Sequence, residues 1–329
     1  MVTWRPFTES QSAWDAALGR APGANIFQSS AWARHKADFG WRAVRALAGP
    51  AGAPAAAAQA LVKNLPAGGR LLWARGGPVG DAALWNGQLR AALLAQAGGA
   101  FLYMRTCSYR PTDAATQARL DCAGWARPRK PLDRPSTYLL DLAAEPSQLL
   151  QSLSSNWRHN LKRGQARAKI EDWKDPDPAE MERLYRSLEA YKGLAPQHRA
   201  DSLRSLIAAL GPALILKRAV VDGRTIAFRA CALFAGSCVD LLAAAGLEAR
   251  KVYASYALLW ELLLQARQSG AKQYDLGGAD SDAAPGVADF KKGTGAHAIE
   301  MIGERDFALP AILRRPAGAL IAWKLGKAG

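Results

Sequence analysis

Apolar residues along this chain change period several times, and each change marks an element. Val2 to Phe7 alternates as an edge strand does, and Pro6 closes it. Ser10 to Leu18 turns helical, with Ser10 as its N-cap. Ser29 or Ser30 can cap a second short helix, which carries Trp32 and Lys36 four residues apart on one face. Trp41 to Leu47, Ala55 to Leu65 and Arg70 to Ala74 follow as strands. A Gly/Pro/Ala turn separates the first two, and Arg75-Gly76-Gly77-Pro78 makes a sharp loop after the third. Ala82 to Ala97 is apolar at helical spacing, and Ala100 to Thr106 returns to strand. Helices and strands joined by short connections predict an α/β or α+β first half.

Pro128 to Pro135 is a Pro/Arg/Lys-rich break, and Thr137 to Leu142 is a strand leading into the second half. Asn156 to Lys169 reads as a helix with Arg158, Lys162, Arg163, Arg167 and Lys169 and no acid. Like charges four residues apart weaken an isolated helix, so this one either faces an anion or is simply solvated. Helices at Asp177 to Tyr191 and Ala200 to Leu210 flank a segment that holds His198 and Arg199. Ala213 to Val221 and Arg224 to Phe234, joined by Asp222-Gly223, predict a hairpin, and Cys238 to Ala245 a third strand. Lys251 to Gln268 reads as one apolar-faced helix stopped by Gly270. Ala296 to Ile302 is a last strand, and Leu309 to Lys327 a basic amphipathic helix with Arg314, Arg315, Lys324 and Lys327. Each half runs through strands, helix, strands and helix, a similarity of order that suggests two related domains.

Composition adjusts this picture in three ways. At 329 residues the chain suits about two domains of roughly 150 residues. Its formal net charge of +15 favours a polyanionic partner, whether nucleic acid, a nucleotide-linked substrate or an anionic membrane surface. A basic surface without a binding role stays open. Cys107, Cys122, Cys231 and Cys238 form no CxxC and share no ligand spacing with the four histidines, so neither a metal site nor a disulfide framework is expected. The start of the chain has no apolar signal-peptide core, and no run of 18 apolar residues occurs, so a cytoplasmic protein is expected.

The stretch with the most chemistry is Tyr274-Asp275-Leu276-Gly277-Gly278 followed by Phe290-Lys291-Lys292-Gly293-Thr294-Gly295. A short strand ends in two glycines, a loop with Asp280, Asp282 and Asp289 follows, and an aromatic and two lysines arrive with two further glycines. Glycine lets backbone approach a ligand closely, and a lysine beside it offers charge to an oxygen becoming anionic. A strand, a loop and a solvated lysine pair would give the same letters. There is no Walker loop, no GxGxxG after a strand, no GxSxG elbow and no HExxH, and the four histidines are scattered. What remains is group transfer assisted by cations.

These motifs together resemble the Fem-type (FemABX) aminoacyltransferases, which add amino acids from aminoacyl-tRNA to peptidoglycan precursors. The resemblance runs through Phe27 to Trp32 with Lys36, Gly40-Trp41, Arg75 to Pro78, the basic Asn156 to Lys169 helix, the Arg199 segment and Tyr253 to Trp260. The final pair, Tyr274 to Gly278 with Phe290-Lys291, is the most specific. No long coiled-coil insertion separates Arg163 from Tyr185, so the match is to the compact members. The resemblance implies an α+β fold of two tandem GNAT-like domains. The first is residues 1–144 with the returning 304–329, on the acceptor side, and the second is 145–303, carrying the acyl donor. It implies no cofactor beyond the aminoacyl-tRNA co-substrate, and a monomer. Lys36 and Arg199 then contact phosphates of the acceptor, a UDP-MurNAc-peptide or a lipid-linked precursor. Trp32, Tyr253 and Tyr256 line the acceptor site. Phe290 meets the donor end with Lys292, Arg158 and Arg163, and Lys291 is the catalytic residue.

Three functions compete. The first is transfer from aminoacyl-tRNA to the amine of a stem peptide. The second is acyl-CoA-dependent N-acylation of a sugar, lipid or peptide amine. For it the usual [Gln/Arg]-x-x-Gly-x-[Gly/Ala] pyrophosphate loop is missing, since Arg163-Gly164-Gln165-Ala166 has the wrong spacing. The third is a basic module that binds nucleic acid or touches an anionic membrane through the 156–169 and 309–327 helices. The charge and the missing loop favour the first.

Overall fold

The computed structural model describes residues 2–99, 101–133, 135–193, 195–278 and 285–326. The chain forms two compact units, Met1–Ser136 with Glu300–Lys327, and Thr137–Ile299. In chain order the first stretch holds β1 (Trp4–Pro6), α1 (Gln11–Leu18), α2 (Ser30–Ala37), β2 (Arg42–Ala48), β3 (Ala56–Asn64), β4 (Gly69–Arg75), β5 (Val79–Gly80), α3 (Gly87–Ala97), β6 (Phe101–Pro111) and α4 (Ala114–Cys122). Then come β7 (Ser136–Asp141), α5 (Pro146–Ser152), α6 (Ser155–Arg167), β8 (Lys169–Asp172), α7 (Pro178–Lys192), α8 (Ala200–Leu210), β9 (Leu214–Val221), β10 (Arg224–Phe234), β11 (Ser237–Ala245), α9 (Leu247–Lys251), α10 (Ala254–Gln268), β12 (Gln273–Gly278) and α11 (Pro285–Lys292). Last are β13 (His297–Leu309) and α12 (Arg314–Gly326), which belong mostly to the first unit.

Within the first unit the strand order is β1-β2-β3-β4-β6-β13, with β5 beside β3. Its ladders are antiparallel except β4 with β6, where a crossover through α3 makes the pair parallel. Within the second unit the order is β7-β12-β11-β10-β9-β8. Again one pair is parallel, β11 with β12, and α9 and α10 form its crossover. The same plan therefore occurs twice, an antiparallel meander with one parallel pair opened by a helix, in an α+β architecture. Each unit buries its own core, the first around Leu72, Leu89, Leu93, Met104 and Trp125 and the second around Trp157, Leu259, Leu262, Cys231 and Tyr274.

The chain departs from its sequence pattern at several elements. The helix expected at Ala82 begins only at Gly87, because the Asn86 side chain accepts from Gln88 N and caps it there. The basic helix ends at Arg167, and Lys169 opens β8 instead of extending it. Lys251 to Gln268 is two helices, broken where Tyr253 takes the left-handed conformation at φ 59°. Asp289, read as part of a loop, lies in helix α11, which Phe290, Lys291 and Lys292 end. The last strand runs seven residues past Ile302, to Leu309. Asp280 and Asp282 lie outside the described residues, as do Lys327 and the side chain of Lys324.

Candidate functional site

The site in the second unit starts from how β12 ends. Its parallel pairing with β11 stops at Asp275, and its antiparallel pairing with β7 bulges between Asp275 and Gly278. A bulge turns main-chain groups away from the ladder. Gly277 takes φ +74° there, which favours glycine. Lys291 Nζ donates to Gly277 O and to Gly278 O, both at 2.9 Å. Asp275 lies buried beneath, accepting from Gly277 N at 2.7 Å and from the Thr137 hydroxyl. Burial pushes the Asp275 carboxyl above its usual range, against these hydrogen bonds and the nearby Lys291 charge. The end of β12 thus fixes a lysine ammonium on two carbonyls.

The turn after α11 locks that lysine from the other side. Thr294, fully buried, donates through Oγ1 to Lys291 O at 2.6 Å. Ser154 N donates to Gly293 O at 2.9 Å, and Trp157 Nε1 to Phe290 O at 3.0 Å. A Cβ at Gly293 would sit 2.8 Å from Trp157 Cδ1, so this position has no room for a side chain. Phe290 packs edge-on against Tyr256, with ring centroids 5.0 Å apart, and tilted against Trp157 at 5.7 Å. Beyond the ring, the Arg229 guanidinium lies 5.4 Å from its centroid. That guanidinium is held by Asp240 through hydrogen bonds of 3.0 and 2.6 Å, and Tyr274 Oη donates to the same carboxylate at 3.2 Å.

The sequence-expected residues Phe290, Lys291, Tyr253, Tyr256 and Arg163 come together here. The Arg163 guanidinium stacks 4.0 Å above the Tyr253 ring, and Gly164 next to it lets α6 close on the kink before α10. A Cβ at Gly164 would lie 2.7 Å from Tyr253 O, a backbone atom that cannot swing aside. Gly164→Ala is therefore expected to cost about 1–3 kcal/mol of stability, read from chemical denaturation, and to displace Tyr253. Trp157, Thr137, Arg229 and Asp240 were not singled out in the sequence, and Asp275 entered only as part of the Tyr274 to Gly278 stretch. The signal available was the Arg229/Asp240 pair within a predicted hairpin and strand.

Other candidates have different surroundings. Arg158 donates to the carbonyls of Gln151 (3.0 Å) and Leu153, which ties it to the end of α5. Lys292 is exposed. Arg199 is exposed at the N-cap of α8, beside the Glu182 carboxylate. In the first unit, Ser29 caps α2 and Lys36 Nζ lies 4.9 Å from the buried Trp32 ring. Arg75, from the expected sharp loop, packs 4.2 Å from Phe27 and 5.7 Å from Trp32, held by Tyr109 Oη at 3.0 Å. Burial, and then the Arg75 charge, lowers the Lys36 ammonium to about 8. Burial and Lys36 likewise lower His35 to about 4, so it is neutral near pH 7. Trp32 Nε1 is buried without a hydrogen-bond partner among the described residues. Two cations on an aromatic bed with a spare N–H donor suit an anion.

Comparison with known proteins supports the fold and the class of chemistry. Residues 147–292 match a family model described as an acetyltransferase (GNAT) domain. No curated protein matches. The crystal structure of FemX, 17% identical, aligns over 94% of this chain and 98% of its own with a TM-score of 0.82. A tandem GNAT protein from the clavulanic acid biosynthesis pathway aligns over 94% and 98%, at 14% identity and TM-score 0.56. The C-terminal domain of a putative lysylphosphatidylglycerol synthetase from Agrobacterium fabrum aligns over 80% and 85%, at 14% identity and TM-score 0.51. The chain has the tandem GNAT-like fold that FemX shares, and it is an acyltransferase.

Proposed function

We propose that this acyltransferase moves an amino acid from aminoacyl-tRNA to the amine of a peptidoglycan precursor's stem peptide. The observation that carries the reading is Lys291, an ammonium fixed by two main-chain carbonyls next to Phe290 at the open end of the parallel pair. The amine nitrogen attacks the ester carbonyl carbon, and the C–N bond forms as the carbonyl π pair moves to oxygen. Collapse expels the ribose oxygen, which gains a proton while the new amide nitrogen loses one. The ester is already activated, so the protein supplies position and charge. The Lys291 charge steadies the oxyanion or the leaving oxygen, and Phe290, with Tyr256 against it, offers a face to the terminal adenine. Lys36 with Arg75 suits the phosphates of a UDP-MurNAc-peptide or of a lipid-linked precursor.

Labelled amino acid should pass from charged tRNA to the acceptor, RNase should abolish the transfer, and tRNA affinity should fall steeply with added salt. Activity that survives RNase and requires acyl-CoA would sink this reading. It would establish instead acyl-CoA-dependent N-acylation, which the GNAT match over 147–292 favours. A second expectation concerns pH. The Lys36 pKa of about 8 lies below its unfolded value, so the free protein loses that charge as pH rises through about 8. Acceptor affinity should therefore decline above that pH, by up to about tenfold per unit, and Lys36→Met should be weaker but flat over the same range. A wild-type affinity that stays level from pH 7 to pH 9.5 would remove Lys36 from phosphate binding.

A further inference from the structure

The first unit contains a cavity of about 650 Å³ that none of the chemistry above uses. The segment 127–130 and helix α12 form its walls, and Arg105 and Asp306 its base. Charges at the base are already matched. Arg105 Nη1 meets Glu304 Oε2 at 3.0 Å, Tyr103 Oη donates to Asp306 Oδ2 at 3.0 Å, and Arg314 Nη1 lies 3.3 Å from Asp306 Oδ1. Arg127, Arg129, Lys130 and Arg315 line the walls, and their side chains have no hydrogen-bond or ion-pair partner among the described residues. Four like charges around one concavity repel one another, so an anion that enters relieves the repulsion.

The rim has a second property. At about 100° per residue, Leu320 and Trp323 project from one side of α12 and Arg314 from the other. Ile312 lies just before the helix. Their exposures are 53% for Leu320, 55% for Trp323 and 82% for Ile312, the last the highest of any large hydrophobic among the described residues. Exposed apolar side chains beside a cationic cavity suit the boundary between headgroups and acyl chains. No helix among the described residues is long and apolar enough to cross a membrane, so α12 would lie in the surface. We infer that the cavity between the 127–130 segment and α12 receives the phosphate of an anionic phospholipid at a bilayer surface, with Ile312, Leu320 and Trp323 dipping into the interface. Phosphate is the shared chemistry, and the exposed apolar side chains favour a lipid over a soluble ester. This inference does not depend on the donor or acceptor proposed above.

The test is co-sedimentation of the full chain with sucrose-loaded vesicles, either phosphatidylcholine alone or phosphatidylcholine with phosphatidylglycerol. Binding to the anionic vesicles only is expected. Arg127→Gln/Arg129→Gln/Lys130→Gln should lower partitioning about 100-fold, from roughly fivefold per cation. Arg5→Gln/Arg20→Gln/Arg119→Gln removes the same charge elsewhere in the unit and should change it only a few-fold. Leu320→Ser/Trp323→Ser should also lose binding while its thermal midpoint stays near that of wild type. Equal losses in the two triple variants would overturn the site, because net charge alone would then explain binding. So would an absence of binding to anionic vesicles. Thermal stabilisation by glycerol 1-phosphate without vesicle binding would overturn the lipid assignment and leave a soluble phosphate ester as the occupant.

Discussion

Replacing Lys291 by Met lowers kcat for acyl transfer by about 10²–10³ and leaves KM for both substrates within a few-fold. The expectation follows from what the side chain touches. Lys291 Nζ is held by Gly277 O and Gly278 O, and the Thr294 hydroxyl pins its own carbonyl. Position is thus fixed before substrate arrives, so no reorganisation is needed as charge develops, which is the condition under which a single cation has a large kinetic effect. Met keeps the length and most of the packing of the stem and removes only the charge. Lys291→Arg keeps the charge but cannot place a planar fork on two adjacent carbonyls as an ammonium does, and should recover little. Single-turnover rates separate this from binding. A Met variant with unchanged kcat and a raised KM would make Lys291 a binding residue only.

The largest stability effect is expected at Arg229. Its guanidinium and the Asp240 carboxylate are 9% and 11% exposed and pair through two hydrogen bonds, with Tyr274 Oη on the same carboxylate. Arg229→Met leaves Asp240 buried with its counter-charge gone, a loss of about 3–5 kcal/mol. A fall in thermal midpoint on the order of 10 °C would register it. Arg229→Met/Asp240→Leu removes both charges and should recover most of the loss, because packed apolar groups tolerate that interior where a lone carboxylate does not. A double variant as unstable as the single one would locate the cost in shape, not charge. Since Arg229 lies under the Phe290 ring, the single variant should also raise KM for the acyl donor.

Much of this frame is legible in the residues. Asp222-Gly223 predicts the hairpin, and both residues take positive φ, 48° and 74°, as the tight turn requires. Ser10, Ser29 and Asp177 start their helices where their side chains can accept from the backbone. Tyr274 to Gly278 is a strand ending in the glycines as expected. What could not be read has physical causes. The partners of Lys291 are main-chain oxygens, and these leave no trace in side-chain patterns. The break at Tyr253 falls on a residue with no local reason for positive φ, and it abuts Gly164, 89 positions earlier in the chain. Glu304, Arg305 and Asp306 look like a polar end to a strand. They are buried because Arg105, Asp121, Gln117 and the main-chain N–H groups of Leu132 and Asp133 meet them from far away in the chain.

That last arrangement has a consequence for synthesis on the ribosome. Strand β6 pairs on one side with β4 and on the other with β13, from Met301 to Leu309. While the chain is being made, the first unit waits with an unzipped edge and with Arg105 facing an interior that lacks Glu304. All of the second unit emerges in the interval. At about 5–20 residues per second the wait lasts on the order of ten seconds or more, long compared with hairpin formation. The later-made unit thus completes itself first, and the earlier one finishes only when the returning strand closes it. A released chain that ends before Glu300 should accordingly yield a protease-resistant fragment from the second unit alone.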